Sequence, residues 1–411
     1  MAESSISSSS PPQIPRRPPP PPSQGSGEPP PPLPSVQSRF RQAESALFSE
    51  IMQSQIMTSP CRIVRNLTSP LVGGDLVQEG SGAVQYLKSF PFSSPATATG
   101  STEGVNGVVF VNTGSPICGA AESVVLKKFG GSQDPVAEVF PTGLLAPHFN
   151  VPAFIILSEQ DARSVGGQIK AETLEHDQAV FHFQLLFTDT SAPIVMVMER
   201  IYGRNLHDIS PADLTGHAQN PKTKLLYDTG RLLAFDIFFH NTDRFPVMNE
   251  IGEASNPHGY GNKGNLMVSS EGGSLEAGSL IVIDSNIVPF VGNPSSYIEK
   301  IEKLLPVLHS EDPAPFQDLV IVPLEKYFKI KFSDEQKQEI KLGFMDGVRQ
   351  VSETLTPKKL SESVETIQTK YLEGKHEKQC KEVMALVPSY FTVMHDIFTN
   401  IANPLMTETE C

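Results

Sequence analysis

Leu232-Leu233-Ala234-Phe235-Asp236-Ile237-Phe238-Phe239-His240-Asn241-Thr242-Asp243-Arg244-Phe245-Pro246 is the stretch on which the fold turns. It passes abruptly from apolar to polar at His240. With Leu225 and Leu226 upstream, Lys222–Phe239 carries enough apolar surface to predict a central buried helix. That helix delivers His-Asn-Thr-Asp into a loop, and loops hung from a rigid core element are where catalytic groups tend to sit. A helix cap followed by an Asx turn is the structural alternative for the same four residues.

Outward from this stretch, the two sides differ in kind. Toward the N-terminus, Val108–Val111 and Val124–Phe129 are β-branched and apolar, joined by a loop containing Gly and Pro, which predicts an antiparallel pair. A helix is expected from roughly Pro135 to Leu145, then strands at Ala153–Leu157, Ala179–Phe187 and Ile194–Glu199. The last runs out into a linker at Arg200-Ile201-Tyr202-Gly203. Toward the C-terminus, two short strands, Leu266–Ser269 and Leu280–Asp284, precede a mainly helical region over 295–405. Strands first and helices later predict an α+β protein of two lobes. The boundaries read as a Ser/Pro-rich tail over 1–38, a sheet-bearing lobe over 39–202 and a helical lobe over 203–411.

Composition narrows the classes. Thirteen of the 36 prolines fall between Pro11 and Pro34 in the 411-residue chain, so the excess marks a tail and the remainder is ordinary globular sequence. Such a tail cannot offset its ordering entropy and is expected to stay disordered, partly as polyproline II; Pro18–Pro22 and Pro29–Pro34 suit an SH3- or WW-type groove, or simply solvent. Residues 39–57 place Phe40, Leu47, Phe48, Ile51 and Ile56 at near-helical spacing. A net charge of −14 argues against a nucleic-acid binder, which needs a basic face. Four scattered cysteines form neither a disulfide framework nor a zinc site. No apolar run reaches membrane-spanning length, and MAESSISSSSPP lacks a signal-peptide core. These features predict a cytoplasmic monomer.

Four segments carry chemistry. Lys127 ends the apolar run Val124-Val125-Leu126, where a lysine is ordinarily an exposed edge charge. Glu138 lies 11 residues on, near the start of the next helix, where its charge suits the dipole. Asp243 is the last residue of the polar cluster. Asn265, in Gly264-Asn265-Leu266-Met267, and Asp284, in Ile281-Val282-Ile283-Asp284-Ser285, are hard oxygen donors of the kind Mg²⁺ takes. Strand Lys, helix Glu, loop Asp, Asn, strand-end Asp is the order of the protein-kinase machinery.

Those motifs, Val-Val-Leu-Lys127, the Glu138 helix, Phe-His-Asn-Thr-Asp243-Arg-Phe-Pro, Gly-Asn265-Leu-Met and Ile-Asp284-Ser, resemble the actin-fragmin kinase catalytic domain family over about 105–290. The resemblance implies an atypical protein kinase with a two-lobed fold, ATP and Mg²⁺ as cofactors, and a protein Ser/Thr substrate such as actin or another cytoskeletal protein. It implies that Lys127 holds the α/β-phosphates, Glu138 fixes Lys127, Asp243 receives or orients the substrate hydroxyl, and Asn265 and Asp284 coordinate Mg²⁺. Glu199 falls at the strand-to-linker junction where kinases bind adenine, mainly through backbone groups.

The sequence departs from ordinary kinases too. No G-x-G-x-x-G is present; the loop from Asn112 through Gly114 to Gly119 is the substitute for presenting N–H groups to phosphate. Asn265 lies 22 residues after Asp243, so Val247–Lys263 must loop out and return, with His258 either on a phosphate or on the surface. Lys128 points to the face opposite Lys127 and is the fallback phosphate ligand. A phosphoinositide kinase would favour basic residues after the metal Asp, and Ser285–Glu299 has none. A pseudokinase scaffold is the non-enzyme alternative.

Overall fold

The structure, a computed structural model, describes residues 87, 96–100, 108–113, 123–129, 135–157, 159–171, 194–220, 224–246, 261–270, 275–287, 294–371 and 377–408, all within the compact unit Thr58–Cys411. The tail over 1–38, the helix within 39–57, the strand at Ala179–Phe187, Gly114, Gly119 and His258 lie outside the described residues.

The chain is α+β. Its larger sheet has strands β1 (Ala96–Gly100), β2 (Val108–Thr113), β3 (Ser123–Phe129), β4 (Phe154–Ile156), β5 (Lys170–Ala171) and β6 (Ile194–Glu199), ordered β4-β6-β3-β2-β1-β5. All neighbours are antiparallel except β1 and β5. The expected β2–β3 pair forms, with Val108 opposite Lys127. Period-two alternation sorts the central strands between two hydrophobic clusters. Val124 and Leu126 of β3 and Val195 and Val197 of β6 pack with Ala162 and Val165 of helix α2 (Glu159–Gln168). Phe129, Ile194 and Met196 face the other way, toward helix α1 (Pro135–Leu145). Every residue of α1 is buried.

A second, antiparallel sheet contains β7 (Gly203–Asn205), β8 (Leu266–Ser269) and β9 (Leu280–Val282), with Leu266 opposite Val282. Helix α3 (Pro211–Gln219) follows β7, its N-cap Ser210 accepting from the Asp213 N–H. The predicted buried helix is α4 (Leu225–Phe239), preceded by Lys224 as a left-handed N-cap; Lys222 and Thr223 of the expected range lie outside the described residues. Among the described residues, later helices include α5 (Pro294–Leu304), α6 (Val322–Phe328), α7 (Asp334–Thr354), α8 (Pro357–Thr366), α9 (Glu377–Leu386) and α10 (Thr392–Glu408).

α4 and α7 cross closely enough that Gly347 leaves no room for a side chain: a Cβ there would meet the Arg231 carbonyl at 2.6 Å. Phe238 stacks on Phe391 at 5.4 Å and packs edge-on against Phe398 at 5.6 Å, so α4 is gripped from the C-terminal side as well. This fixed helix is the base from which the polar loop is hung. Among the described residues, no helix is long and apolar enough to cross a membrane.

Candidate functional site

The site starts at the C-terminal end of α4. Carbonyls in a helix's last turn lack intrahelical partners. Here the Ile237 carbonyl accepts from Tyr297 Oη at 2.9 Å and Tyr390 Oη at 3.3 Å. The chain then leaves the helix through His240, in left-handed conformation at φ 55° with its ring 4.5 Å from that of Tyr297. Asn241 turns back, its N–H donating to the Asp236 carbonyl at 2.8 Å and its Nδ2 to Asp236 Oδ1 at 3.1 Å. The turn presents Asp243, partly exposed between buried Thr242 and Arg244.

On both sides of the long insertion after Asp243 the chain is held to the same loop. Residues 247–260 are outside the described set, but the returning chain is seen. Gly261 has φ 68°, and a Cβ there would lie 2.7 Å from the Arg244 carbonyl, so glycine is required by both conformation and contact. Asn262 N–H then donates to the Asp243 carbonyl at 2.6 Å, and Asn265 Nδ2 donates to Asp243 Oδ2 at 3.0 Å. Residues 22 apart in sequence thus meet as a hydrogen-bonded Asp–Asn pair. Asn265 leads into β8, its carbonyl accepting from Ile283 N–H at 3.2 Å; β9 stops at Val282, short of the strand expected to run to Asp284, because Asp284 turns to a left-handed φ two residues beyond it.

Asp284 is a non-glycine residue held at φ 51°. Its Oδ1 accepts from Lys127 Nζ at 2.5 Å, and the same ammonium donates to Glu138 Oε1 at 2.6 Å. The lysine side chain is 4% exposed, Glu138 11% and Asp284 44%. Lys127 therefore is no exposed edge charge, and the usual reading of such a lysine fails because α1 covers this face of β3. Lys128 is buried on the opposite face, at the register of Val195, away from both carboxylates.

Burial opposes charge on the Lys127 ammonium, but Glu138 and Asp284 outweigh it and hold its pKa up at about 12. For Glu138 burial dominates: its carboxyl is pushed up to about 7 despite the pull of Lys127, and the nearby Asp284 charge adds to the rise. The two partners differ because one ammonium is shared by two carboxylates. Lys127 is charged throughout the neutral range, whereas Glu138 takes up a proton near neutrality.

One buried cation was missed by sequence reasoning. Arg244, fully buried, forms an ion pair with Asp236 and donates to the Ile283 carbonyl at 3.1 Å and Ser285 Oγ at 2.9 Å. It thereby holds both residues flanking Asp284 while sitting next to Asp243 in the chain. The Ile287 N–H donates to the Ala137 carbonyl at 2.9 Å, tying the same segment to the helix that carries Glu138. The signal that could have found it is Asp236 itself, a lone carboxylate in an apolar helical run, eight residues before an arginine.

Glu199 ends β6 and is committed locally: its N–H donates to the Ala153 carbonyl at 2.8 Å, and its Oε2 accepts from the Ala153 N–H at 3.3 Å. It stands apart from the lysine–carboxylate cluster. Asn265 and Asp284 supply an amide and a carboxylate oxygen, and among the described residues no group of three His, Cys, Asp or Glu side chains is placed to hold a metal. Within the described residues this pair suits a cation that keeps waters and takes further ligands from phosphate, the habit of Mg²⁺. The chain matches no protein-family model and no curated protein.

Proposed function

We propose that the chain is an ATP- and Mg²⁺-dependent protein Ser/Thr kinase of the two-lobed, protein-kinase-like class, acting on actin or another cytoskeletal protein. The observation that carries this reading is Lys127 Nζ held between Glu138 and Asp284, with the Asp243–Asn265 pair one strand away.

In this reading the larger sheet and α1 form one lobe, the second sheet and later helices the other. The Lys127 ammonium binds the α- and β-phosphate oxygens, and Glu138 keeps it from folding back onto the sheet. Asn265 and Asp284 would hold Mg²⁺, whose contribution when bound is to neutralise phosphate charge. Asp243, oriented by Asn265 and Asn262, accepts a hydrogen bond from the substrate hydroxyl and aims its oxygen at the γ-phosphorus. Phosphoryl transfer asks for positioning and charge stabilisation, so these roles suffice without a covalent intermediate.

The test uses radiolabelled ATP with purified actin and tubulin, comparing wild type with Asp243→Ala and Asp284→Ala. Label entering protein with wild type, and falling at least about a hundredfold in both variants, is expected. Equal labelling by all three rejects the assignment. Label in phosphoinositide alone makes the chain a lipid kinase, and no transfer with no stabilisation by Mg·ATP makes it a scaffold.

A further inference from the structure

The helix that carries Glu138 contains a proline well inside it. Pro141 is the seventh residue of α1 and is buried like the rest of the helix. Proline is the least favourable residue at such a position, for two reasons. It has no N–H to give the carbonyl four residues back, and its ring crowds that carbonyl off the helix axis. Four residues back from Pro141 is Ala137, whose carbonyl accepts from Ile287 N–H at 2.9 Å. Ala137 is the residue before Glu138, and Ile287 lies three residues after Asp284. The defect in the helix and the tertiary bond thus fall on the same atom.

The same part of the chain fastens the other side of Asp284. Five residues beyond α1, Asn150 donates from Nδ2 to the Leu280 carbonyl at 2.9 Å and accepts at its own carbonyl from Val282 N–H at 2.9 Å. β9 is therefore held just before Asp284, and the chain is held again just after it, both times by α1 or the turn that follows it. Between these two points Asp284, at φ 51°, meets Lys127 Nζ at 2.5 Å, with Glu138 on the same ammonium at 2.6 Å. One ammonium bridges two carboxylates only while helix and segment keep a fixed spacing, since each contact tolerates a narrow range of distance. A residue with an N–H at position 141 would draw the Ala137 carbonyl back onto the helix axis, at the expense of the bond after Asp284.

We propose that Pro141 is a positioning residue for the Lys127 site. By bringing no N–H to position 141 it leaves the Ala137 carbonyl to Ile287, and that bond sets the Glu138 and Asp284 carboxylates at the spacing one ammonium can bridge. The inference rests on reading Lys127, Glu138 and Asp284 as one site, and Pro141 acts on that site through the backbone of Ala137 and Ile287.

Amide hydrogen exchange resolved to Ile287 by electron-transfer fragmentation, and acylation of Lys127 quantified by mass spectrometry, test this on the full chain. Neither needs nucleotide, so the result stands apart from the kinase reading. Pro141→Ala supplies the missing N–H. Exchange at Ile287 is expected to quicken about tenfold, the worth of one hydrogen bond, and Lys127 to acylate several-fold faster, while exposed Lys326 is unchanged. The urea midpoint should stay close to wild type, because the helix propensity gained offsets the lost burial of the ring. A general loosening would instead lower the midpoint and quicken exchange throughout α1. An alanine-sized α-hydroxy acid placed at 141, which forms an ester and again brings no N–H, should retain wild-type exchange and acylation. Three results overturn the proposal: wild-type exchange and acylation in Pro141→Ala, equal quickening in the ester variant, or a lowered midpoint with exchange raised throughout α1.

Discussion

Replacing Arg244 with Met keeps the side chain's length and removes its charge. In the folded protein the guanidinium is fully buried, paired with Asp236 and bonded to the Ile283 carbonyl and Ser285 Oγ. The variant leaves Asp236 buried with only Asn241 as side-chain partner and deprives the Asp284 segment of two donors. Removing one partner of a buried pair costs about 3–5 kcal/mol, chiefly because the other charge is left uncompensated. That is a large part of the ~5–15 kcal/mol that holds a typical domain together. Urea unfolding followed by far-UV circular dichroism is the suitable assay, since the chain has no tryptophan to report by fluorescence. Asp236→Asn alone should also destabilise, by stranding the guanidinium. The double variant Asp236→Asn/Arg244→Met should be about 2 kcal/mol more stable than the sum of the single losses implies. Losses that add to within about 0.5 kcal/mol would refute the claim that these two side chains act as a unit.

Other consequences follow from the same geometry. His148 is held down to about pH 4, first by burial and then by the Arg231 charge. Its folded pKa lies below the unfolded one, so its contribution to stability is complete above about pH 6.5 and is lost as pH falls toward 4. Denaturation midpoints should drop across that window by an equivalent of up to about 3 kcal/mol, and His148→Gln should flatten the drop. Gly343 on α7 sits against the Tyr227 carbonyl, and Gly343→Ala should cost about 1–3 kcal/mol in the same urea assay by forcing α4 and α7 apart. In the proposed reaction, transfer should decline on acidification through about pH 7 as Glu138 takes its proton. Glu138→Gln should remove that limb at a plateau at least about tenfold lower; an unchanged pH profile in this variant would exclude Glu138 from Lys127 positioning.

Much of this site could be read from the residues because its parts are short, local and ordered. Lys127 closes a β-branched run, Glu138 opens a helix with a clear pattern, and Asp243 ends an apolar one, so each is placed by its own element. The strands β2, β3, β6 and β8 and the helix α1 follow from periodicity for the same reason. What escaped lacks apolar bulk or depends on distant partners. β1 reads Ala-Thr-Ala-Thr-Gly and α2 contains two glycines among polar residues, so neither advertises itself. α3 did carry a usable signal, Ser210-Pro211 with Asp213 in the first turn. The Arg244–Asp236 pair and the Asp243–Asn265 contact are tertiary facts, created where the return of the chain at Gly261 brings separate elements together.

The central claim is that Lys127, Glu138 and Asp284 form a nucleotide-phosphate site. Calorimetric titration of the full chain with ATP, in Mg²⁺ and in excess chelator, tests it most directly. Binding of Mg·ATP by wild type is expected, weakened at least about tenfold by chelator, by Lys127→Met and by Asp284→Asn, with circular dichroism unchanged in both variants. Absence of binding by wild type, or equal binding by the two variants, would contradict it.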